Sequence, residues 1–167
     1  MKKLIAAVAL SALSLSASAD FFDPVEEWSY SIAYNVFTHH PEPTYFDEDT
    51  DKETAWNEKN EFIGFRVNVN ENVGFFAAKG KNSFYKDSIT GGVEFHIPLN
   101  ASDTFDLGSD VGLASGYEDV IDGGILPYVN PFIRPNYHIN EHLTASVKVG
   151  VMNFMAWNGF FELTVKF

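Results

Sequence analysis

Two short stretches of the sequence carry side chains that can act on an ester bond. His39 and His40 close one stretch, while Lys81-Asn82-Ser83 and Asp87-Ser88 belong to the other. Histidine can act as a general base near neutral pH, and a serine hydroxyl becomes a good nucleophile when such a base takes its proton. Histidines and serines in loops are more often plain polar groups, so these residues by themselves do not assign an active site. Their meaning depends on the elements that position them.

The stretch from Gly159 to Phe167 indicates what those elements are. Its side chains alternate between apolar and mixed character, as they do on the two faces of a β-strand. A strand with one apolar face, one mixed face and an aromatic end is typical of the closing strand of an outer-membrane barrel. The last strand of a soluble β-sandwich fits equally well. The apolar face consists of Phe161, Leu163, Val165 and Phe167.

The N-terminus favours the membrane barrel. Residues 1–19 contain Lys2 and Lys3, an apolar run and Ala17-Ser18-Ala19, which together predict a cleaved secretory signal peptide. We therefore expect one mature domain over residues 20–167. The formal net charge of -12 makes nucleic acid an unexpected partner, and the absence of cysteine excludes a disulfide scaffold.

The mature chain is long enough for a small barrel. No stretch after the signal peptide reaches the roughly 18 consecutive apolar residues of a membrane helix. A closed barrel is the other structure that pairs every backbone group inside a bilayer. At about 10 residues per strand, the mature chain accommodates eight strands. The sequence thus predicts an all-β fold, an eight-stranded antiparallel transmembrane barrel of the bacterial outer membrane, with short periplasmic turns and longer extracellular loops.

Alternation also predicts which side chains face the lumen. From Trp28 to Val36 the even positions are apolar and the odd positions are small or polar, so His39 is expected to point inward. Between Val73 and Lys81 the parity stays open, because Phe75 and Phe76 compete for the outer face.

Two later strands carry further expectations. A strand from Phe105 to Tyr117 is predicted to place Tyr117 on the outer face. The next strand contains Pro127, Pro131 and Pro135, all at odd positions. Because proline has no backbone N–H, one side of this strand should be incompletely paired.

Charged residues divide into a loop group and a lumen group. Residues 41–58 hold two prolines and an acidic run, which predicts a long solvated loop. The run lacks the spacing of a calcium-binding loop, and we expect no metal and no cofactor. Eight strands leave room only for side chains or one slim ligand, so inward-facing charges are expected to pair with one another. These charges are Arg66, Glu94, Lys148, Glu162 and Lys166.

Residues 74–86, followed by Gly92, resemble a segment of the PagP-type lipid A palmitoyltransferases. That segment runs from a glycine and an aromatic-rich strand into Lys-Asp-Ser, an aromatic residue, and a later lysine and glycine. The similarity extends, more thinly, to the histidine that ends the first strand, to an acidic loop with Tyr45, and to Ile125-Leu126-Pro127. In that family a histidine, an aspartate and a serine at the outer rim transfer an acyl chain from a phospholipid to lipid A. Weakened pairing at the proline-bearing strand is thought to admit the chain sideways.

The resemblance implies roles for the rim residues. Ser83 would attack or position the ester, and His39 or His40 would be the general base. Strand parity favours His39, whereas a Thr-x-His pattern favours His40.

One departure from the family pattern concerns the aspartate. Asn82 stands in its place, and an amide cannot hold an imidazolium as a carboxylate does. Either the activity is lost or Asp87 substitutes, in which case Lys86-Asp87-Ser88 becomes the rival motif.

Three functions therefore remain open. The resemblance implies a monomeric acyltransferase that moves an acyl chain from a phospholipid to lipid A at the outer leaflet. The alternative is a non-enzymatic small barrel for surface interaction or envelope integrity. Lipid A deacylation would also need a rim histidine and serine, but the last third of the chain carries no motif for it.

Overall fold

The structure, a computed structural model, describes residues 28–47, 50–153 and 155–167. The predicted signal peptide and residues 20–27 lie outside this range. Within the described residues no helix is long and apolar enough to cross a membrane. The strands are β1 (Ser29–His39), β2 (Thr44–Asp47), β3 (Lys52–Ala55), β4 (Ile63–Asn68), β5 (Val73–Lys81), β6 (Asp87–Pro98), β7 (Phe105–Ala114), β8 (Leu126–His138), β9 (Leu143–Met152) and β10 (Ala156–Lys166).

Eight of these strands close into an antiparallel barrel in the order β1-β10-β9-β8-β7-β6-β5-β4. Because β1 pairs with both β10 and β4, the sheet has no free edge, as a membrane-spanning sheet requires. The predicted eight-stranded barrel is confirmed. We call the end that carries His39 and the connections after β5 and β7 the rim end. The opposite end, with the tight turns after β4, β6 and β8, is the turn end.

Alternating side chains build the wall as the sequence predicts. On β6, Ile89 is exposed on the outer face while Glu94 and His96 are buried inside the barrel. On β4, Ile63 and Phe65 are exposed and the intervening positions face inward.

The acidic loop after β1 is more ordered than predicted. Thr44–Asp47 and Lys52–Ala55 pair as a two-stranded antiparallel hairpin that stands apart from the barrel sheet. The prediction of a long solvated loop rested on prolines and charges and did not include this hairpin. The Tyr45 ring packs on Trp56, with centroids 4.6 Å apart, and so anchors the hairpin to the rim end.

A β-bulge near the end of β1 reverses the predicted inward direction of His39. The register with β10 shifts between Asn35 and Phe37, so one residue is inserted and every later side chain changes face. Thr38 and His40 are therefore buried, whereas His39 is exposed. The parity argument for His39 was wrong beyond this point.

Two aromatic residues occupy positions that periodicity did not give. On β5, Phe75 is exposed and Phe76 faces the lumen, where it lies opposite Gly92 of β6 in the strand register. Tyr117 was expected on the outer face but is buried. Because β7 ends at Ala114 and Gly116 adopts a positive φ of 83°, the chain turns over the lumen before Tyr117.

The three prolines of β8 interrupt its pairing with β9, as predicted. Backbone pairing with β7 is continuous from Leu126 to Pro135. Pairing with β9 begins only at Phe132 and is interrupted again around Pro135. The missing N–H groups thus all lie on the β9 side, and the gap is widest near the rim end.

Candidate functional site

A cavity of about 100 Å³ occupies the half of the lumen nearest the rim end. Its walls combine small and aromatic residues, because several strands place alanine or glycine at inward positions there. The space left by these small side chains is mainly apolar, while its floor is charged. The wall includes Ala33, Gly64, Ala78, Ala114, Ala156, Phe76, Tyr128 and Met152, and the floor includes Arg66, Glu94, Lys148 and Glu162.

A group of rings adjoins this cavity through Tyr117, and we call its members Tyr45, Trp56, Phe84 and Tyr117 the aromatic lid. Trp56 lies 5.1 Å from Phe84 between ring centroids, and Phe84 lies 5.9 Å from Tyr117. Tyr45 contacts Phe84 at 4.8 Å from the hairpin side. Tyr117 also lines the cavity, so it forms the contact between the lid and the space beneath. Burial raises the pKa of Tyr117 to about 12, which keeps its hydroxyl neutral.

His40 is the rim histidine that the fold buries. Its ring stacks on Trp56 with centroids 4.4 Å apart and planes 8° from parallel. Burial lowers the pKa of His40, the nearby Glu58 carboxylate opposes this effect, and the neutral ring that results can accept a proton. Its Nδ1 is buried without a hydrogen-bond partner among the described residues, as is Nε1 of Trp56.

His39 lies in a different environment. Its Nδ1 is 3.1 Å from Oε1 of Glu58, and both side chains are more than half exposed. The structure thus separates the two candidate bases, since His40 belongs to the covered rim and His39 to the solvent-exposed surface.

Asn82 and Ser83 are both buried in the connection between β5 and β6. The Asn82 side chain fixes the conformation of this connection, because its Oδ1 accepts hydrogen bonds from the backbone N–H groups of Phe84 and Lys86, each at 3.0 Å. Its Nδ2 donates to the Gly116 carbonyl at 2.5 Å. With its amide oxygen and an N–H group engaged in this way, Asn82 holds the loop in place. It does not contact either rim histidine through these bonds.

Ser83 is brought near the aromatic lid through its neighbours. The Asn57 backbone N–H donates to the Ser83 carbonyl at 2.9 Å, and the Asn57 Nδ2 donates to the Asn82 carbonyl at 3.0 Å. Since Trp56 precedes Asn57 and stacks on His40, these contacts link the His40 and Ser83 segments side by side.

Asp87 and Ser88 lie on opposite faces of β6. Asp87 is on the outer face, where its Oδ1 accepts from the Lys81 Nζ at 3.1 Å, and its side chain is 81% exposed. Ser88 points inward and is buried, with no partner for its hydroxyl among the described residues. The strand directs Asp87 to the outer face, away from the lumen that Ser88 faces.

The charged floor confirms that inward-facing charges pair with one another. Glu94 receives Arg66 Nη1 at 2.5 Å, Arg134 Nη1 at 2.6 Å and Lys148 Nζ at 3.1 Å. Lys166, half-buried near the turn end, is not part of this network. We call the network the ionic plug, and its members are Arg66, Arg134, Lys148, Glu94, Glu162, Asp106 and Asp110.

Sequence reasoning missed three residues of this region. Trp56 was read as part of a solvated loop, although a tryptophan in an acidic run is itself a signal of a buried anchor. Glu58 was not linked to the histidines, because a long loop separates them in the sequence and their closeness in space is not apparent from it. Asn153 was assigned to a loop, yet its Oδ1 accepts from the Val129 N–H at 2.9 Å and bridges the gap beside β8.

The described residues contain no group of three or more histidine, aspartate or glutamate side chains arranged to hold a metal ion. No family model matches the chain, and no curated protein matches it. Among solved structures it is similar to a de novo designed transmembrane β-barrel, with a TM-score of 0.50, 9% identity, and coverage of 86% of this chain and 97% of that one. It is also similar to the N-terminal β-barrel domain of Pseudomonas aeruginosa OprF, with a TM-score of 0.43, 8% identity, and coverage of 87% and 100%. The closed sheet and the similarity to the designed barrel show that the chain has the fold of a small transmembrane-type barrel.

Proposed function

We propose that this protein is an outer-membrane acyltransferase resembling the lipid A palmitoyltransferases, moving an acyl chain from a phospholipid to lipid A at the outer leaflet. The observation that carries the proposal is the apolar cavity directly under a rim that buries a neutral His40 close to the Ser83 segment. Alanine, glycine and aromatic side chains give this space the apolar lining that a hydrocarbon chain requires, and the ester would then lie at the level of the rim.

The proposed reaction exchanges one alcohol of an ester for another. His40 takes the proton of the Ser83 hydroxyl or of the acceptor hydroxyl, and the oxygen so activated attacks the phospholipid carbonyl carbon. The bond from that carbon to the glycerol oxygen breaks, and the proton passes from the imidazole to the leaving alkoxide. Where Ser83 is the attacking group, the acceptor hydroxyl then attacks the acyl-serine ester: His40 takes the acceptor proton, the bond from the carbonyl carbon to the Ser83 oxygen breaks, and the proton returns to Ser83. Glu58 is the carboxylate that would favour the imidazolium in place of the family aspartate, because its charge raises the pKa of His40.

The gap beside β8 supports access from the side. The aromatic lid adjoins the cavity at the rim end, so a chain from the bilayer would enter through a lateral opening. Tyr128 of β8 and Met152 of β9 line the cavity on either side of the unpaired segment. Because Pro127 and Pro131 have no backbone N–H, the seam between β8 and β9 has fewer hydrogen bonds to break.

A non-enzymatic barrel is the second candidate, and one observation favours it. The side-chain amide of Asn82 is engaged in hydrogen bonds that hold its loop. The aspartate expected beside the imidazole therefore has no counterpart at that position. In this case the cavity would hold a chain without reacting with it.

Mass spectrometry of lipid A from cells that express the protein separates these functions. An added acyl chain that disappears in Ser83→Ala and His40→Ala supports the proposal. The matched controls are Ser88→Ala and His39→Ala, which should retain the added chain. A lipid A that lacks a chain would instead identify a deacylase, and an unchanged profile from a folded barrel would support the non-enzymatic function.

A further inference from the structure

The outer wall of the barrel carries one charge without an intramolecular partner. At the outward-facing positions of the eight described barrel strands, full charges occur at Lys79, Lys81 and Asp87. Lys81 and Asp87 pair with each other at 3.1 Å. His39 is also exposed at the rim end, and it pairs with Glu58. The Lys79 side chain forms no hydrogen bond or ion pair with any described residue, so its ammonium group faces the surroundings of the barrel.

The position of Lys79 places that charge at the edge of the apolar band. In the strand register Lys79 lies between Ile63 of β4 and Ile89 of β6, which are both exposed on the outer face. A lysine on a lipid-facing wall is strongly destabilising at the bilayer midplane but nearly neutral close to the interface. Lys79 is two residues from the end of β5, and its flexible stem allows the ammonium to reach the headgroup layer.

A groove of about 500 Å³ on the outer wall begins next to this lysine. Its floor is low because Ala77 and Gly91 oppose each other across β5 and β6 and carry almost no side chain. Ala77 lies two residues from Lys79 on the same face, or roughly 7 Å along the strand. The groove is walled by Ile89, Leu113 and Ile125.

We propose that Lys79 and this groove form a binding site for lipid A on the outside of the barrel. The ammonium of Lys79 would hold a lipid A phosphate, and one acyl chain would lie in the groove over Ala77 and Gly91. Charge complementarity selects an anionic lipid, since a chain with a net charge of -12 otherwise repels such lipids. The inference rests on the proposed placement in the outer membrane, where the rim end faces the leaflet that contains lipid A. It does not require acyl transfer.

Native mass spectrometry of the detergent-solubilised barrel tests the charge. We would add bisphosphorylated lipid A, lipid A without phosphates, or phosphatidylglycerol to a Ser83→Ala background, which excludes turnover. Lys79→Gln should weaken binding of bisphosphorylated lipid A about fivefold, the effect of one lysine near an anionic lipid surface. Lys52→Gln, a change in the hairpin away from the wall, should leave binding unaltered. Equal binding of bisphosphorylated lipid A by Lys79→Gln and the parent would overturn the proposal. Retention of phosphatidylglycerol by the parent as strong as its retention of bisphosphorylated lipid A would also overturn it.

A second pair of variants tests the groove. Ala77→Leu fills the floor and should reduce retention of bisphosphorylated lipid A, whereas Val147→Leu, at an exposed position on the outer face of β9, should not. Lys79→Gln removes a charge from a lipid-facing wall, so its thermal stability in uncharged detergent should equal or exceed that of the parent. A groove variant that binds normally would contradict the proposed chain position. Because acyl transfer is measured separately, loss of either property identifies which proposal fails.

Discussion

The two halves of the lumen are filled according to opposite principles. Toward the turn end, long charged side chains occupy the inward positions, and Glu94 alone meets three cations within 3.1 Å. Toward the rim end, the equivalent positions on the same strands carry alanine and glycine, and the space between them stays open. The barrel wall has the same construction in both halves. The difference shows that inward side-chain volume decides where this barrel can hold a ligand.

The two halves should also differ in the mutations that they tolerate. The ionic plug is buried and keeps its charges in close mutual contact, so removing one partner leaves others buried and unpaired. The cavity half already contains unfilled space, so losing volume there costs less additional packing. Stability and ligand binding should therefore respond to mutations in different halves.

Removing the central anion should produce the largest effect. Glu94→Gln leaves Arg66, Arg134 and Lys148 with less negative charge around them, and we expect destabilisation of about 3–5 kcal/mol. Urea unfolding in lipid vesicles measures this change. The control is Glu118→Gln, whose exposed partner Lys86 lies 3.9 Å away, with an expected change of about 0–1 kcal/mol. Similar values for the two variants would contradict the account of the plug.

A pair of phenylalanines compares the two halves directly. Phe132 is buried beside the plug, with the Lys148 Nζ 4.9 Å from its ring centroid, and Phe132→Ala should cost about 3–5 kcal/mol. Phe76→Ala enlarges the existing cavity and should cost at least about 1 kcal/mol less, because fewer contacts are lost. The same unfolding assay checks both variants, and a larger loss for Phe76→Ala would reverse the comparison.

Placing an aspartate at position 82 should weaken the rim. Asn82→Asp replaces the N–H donor that bonds the Gly116 carbonyl with an oxygen, so two acceptors would face each other in a buried loop. We expect a loss of about 1–3 kcal/mol in stability of the rim. Hydrogen exchange of the connection between β5 and β6 measures it, with Asn140→Asp in a solvent-exposed turn as control. Rescue or increase of acyl transfer by Asn82→Asp would mean that the loop rearranges to admit a catalytic carboxylate.

The smallest effect concerns pH. Burial lowers the pKa of His40 below its ordinary value of 6.5, so the unfolded chain takes up a proton before the folded barrel does. Its contribution to stability should therefore be complete above pH 6.5 and decline as the pH falls below that value. Acyl transfer should decrease only at a pH below 6.5, where the buried ring becomes protonated. His40→Gln should remove this part of the stability profile, and His39→Gln should retain it.

Much of the barrel could be predicted because its strands obey a period of two. The wall of β6 and the inward charges of the plug follow directly from alternation of apolar and polar residues. Prolines at 127, 131 and 135 likewise predicted the seam beside β9, since proline lacks an N–H in any environment. These features depend on local chemistry and need no knowledge of distant residues.

The site was less predictable because one inserted residue changes the face of all that follow. The bulge after Asn35 buries His40 and leaves His39 exposed, and no residue type near the bulge signals that shift. Asp87 looked suitable by type, but the outer face of β6 removed it from the lumen. Asn82 looked like a lost catalytic acid, whereas its contacts assign it to the loop.

By itself the sequence determined the fold class, the number of barrel strands and the chemistry available at the rim, because alternation, proline and residue type act locally. Only the tertiary structure decided which histidine is buried, which face of β5 carries Lys79, and where the lumen is open. These depend on strand register and on packing between residues far apart in the chain, where a shift of one position exchanges inside for outside.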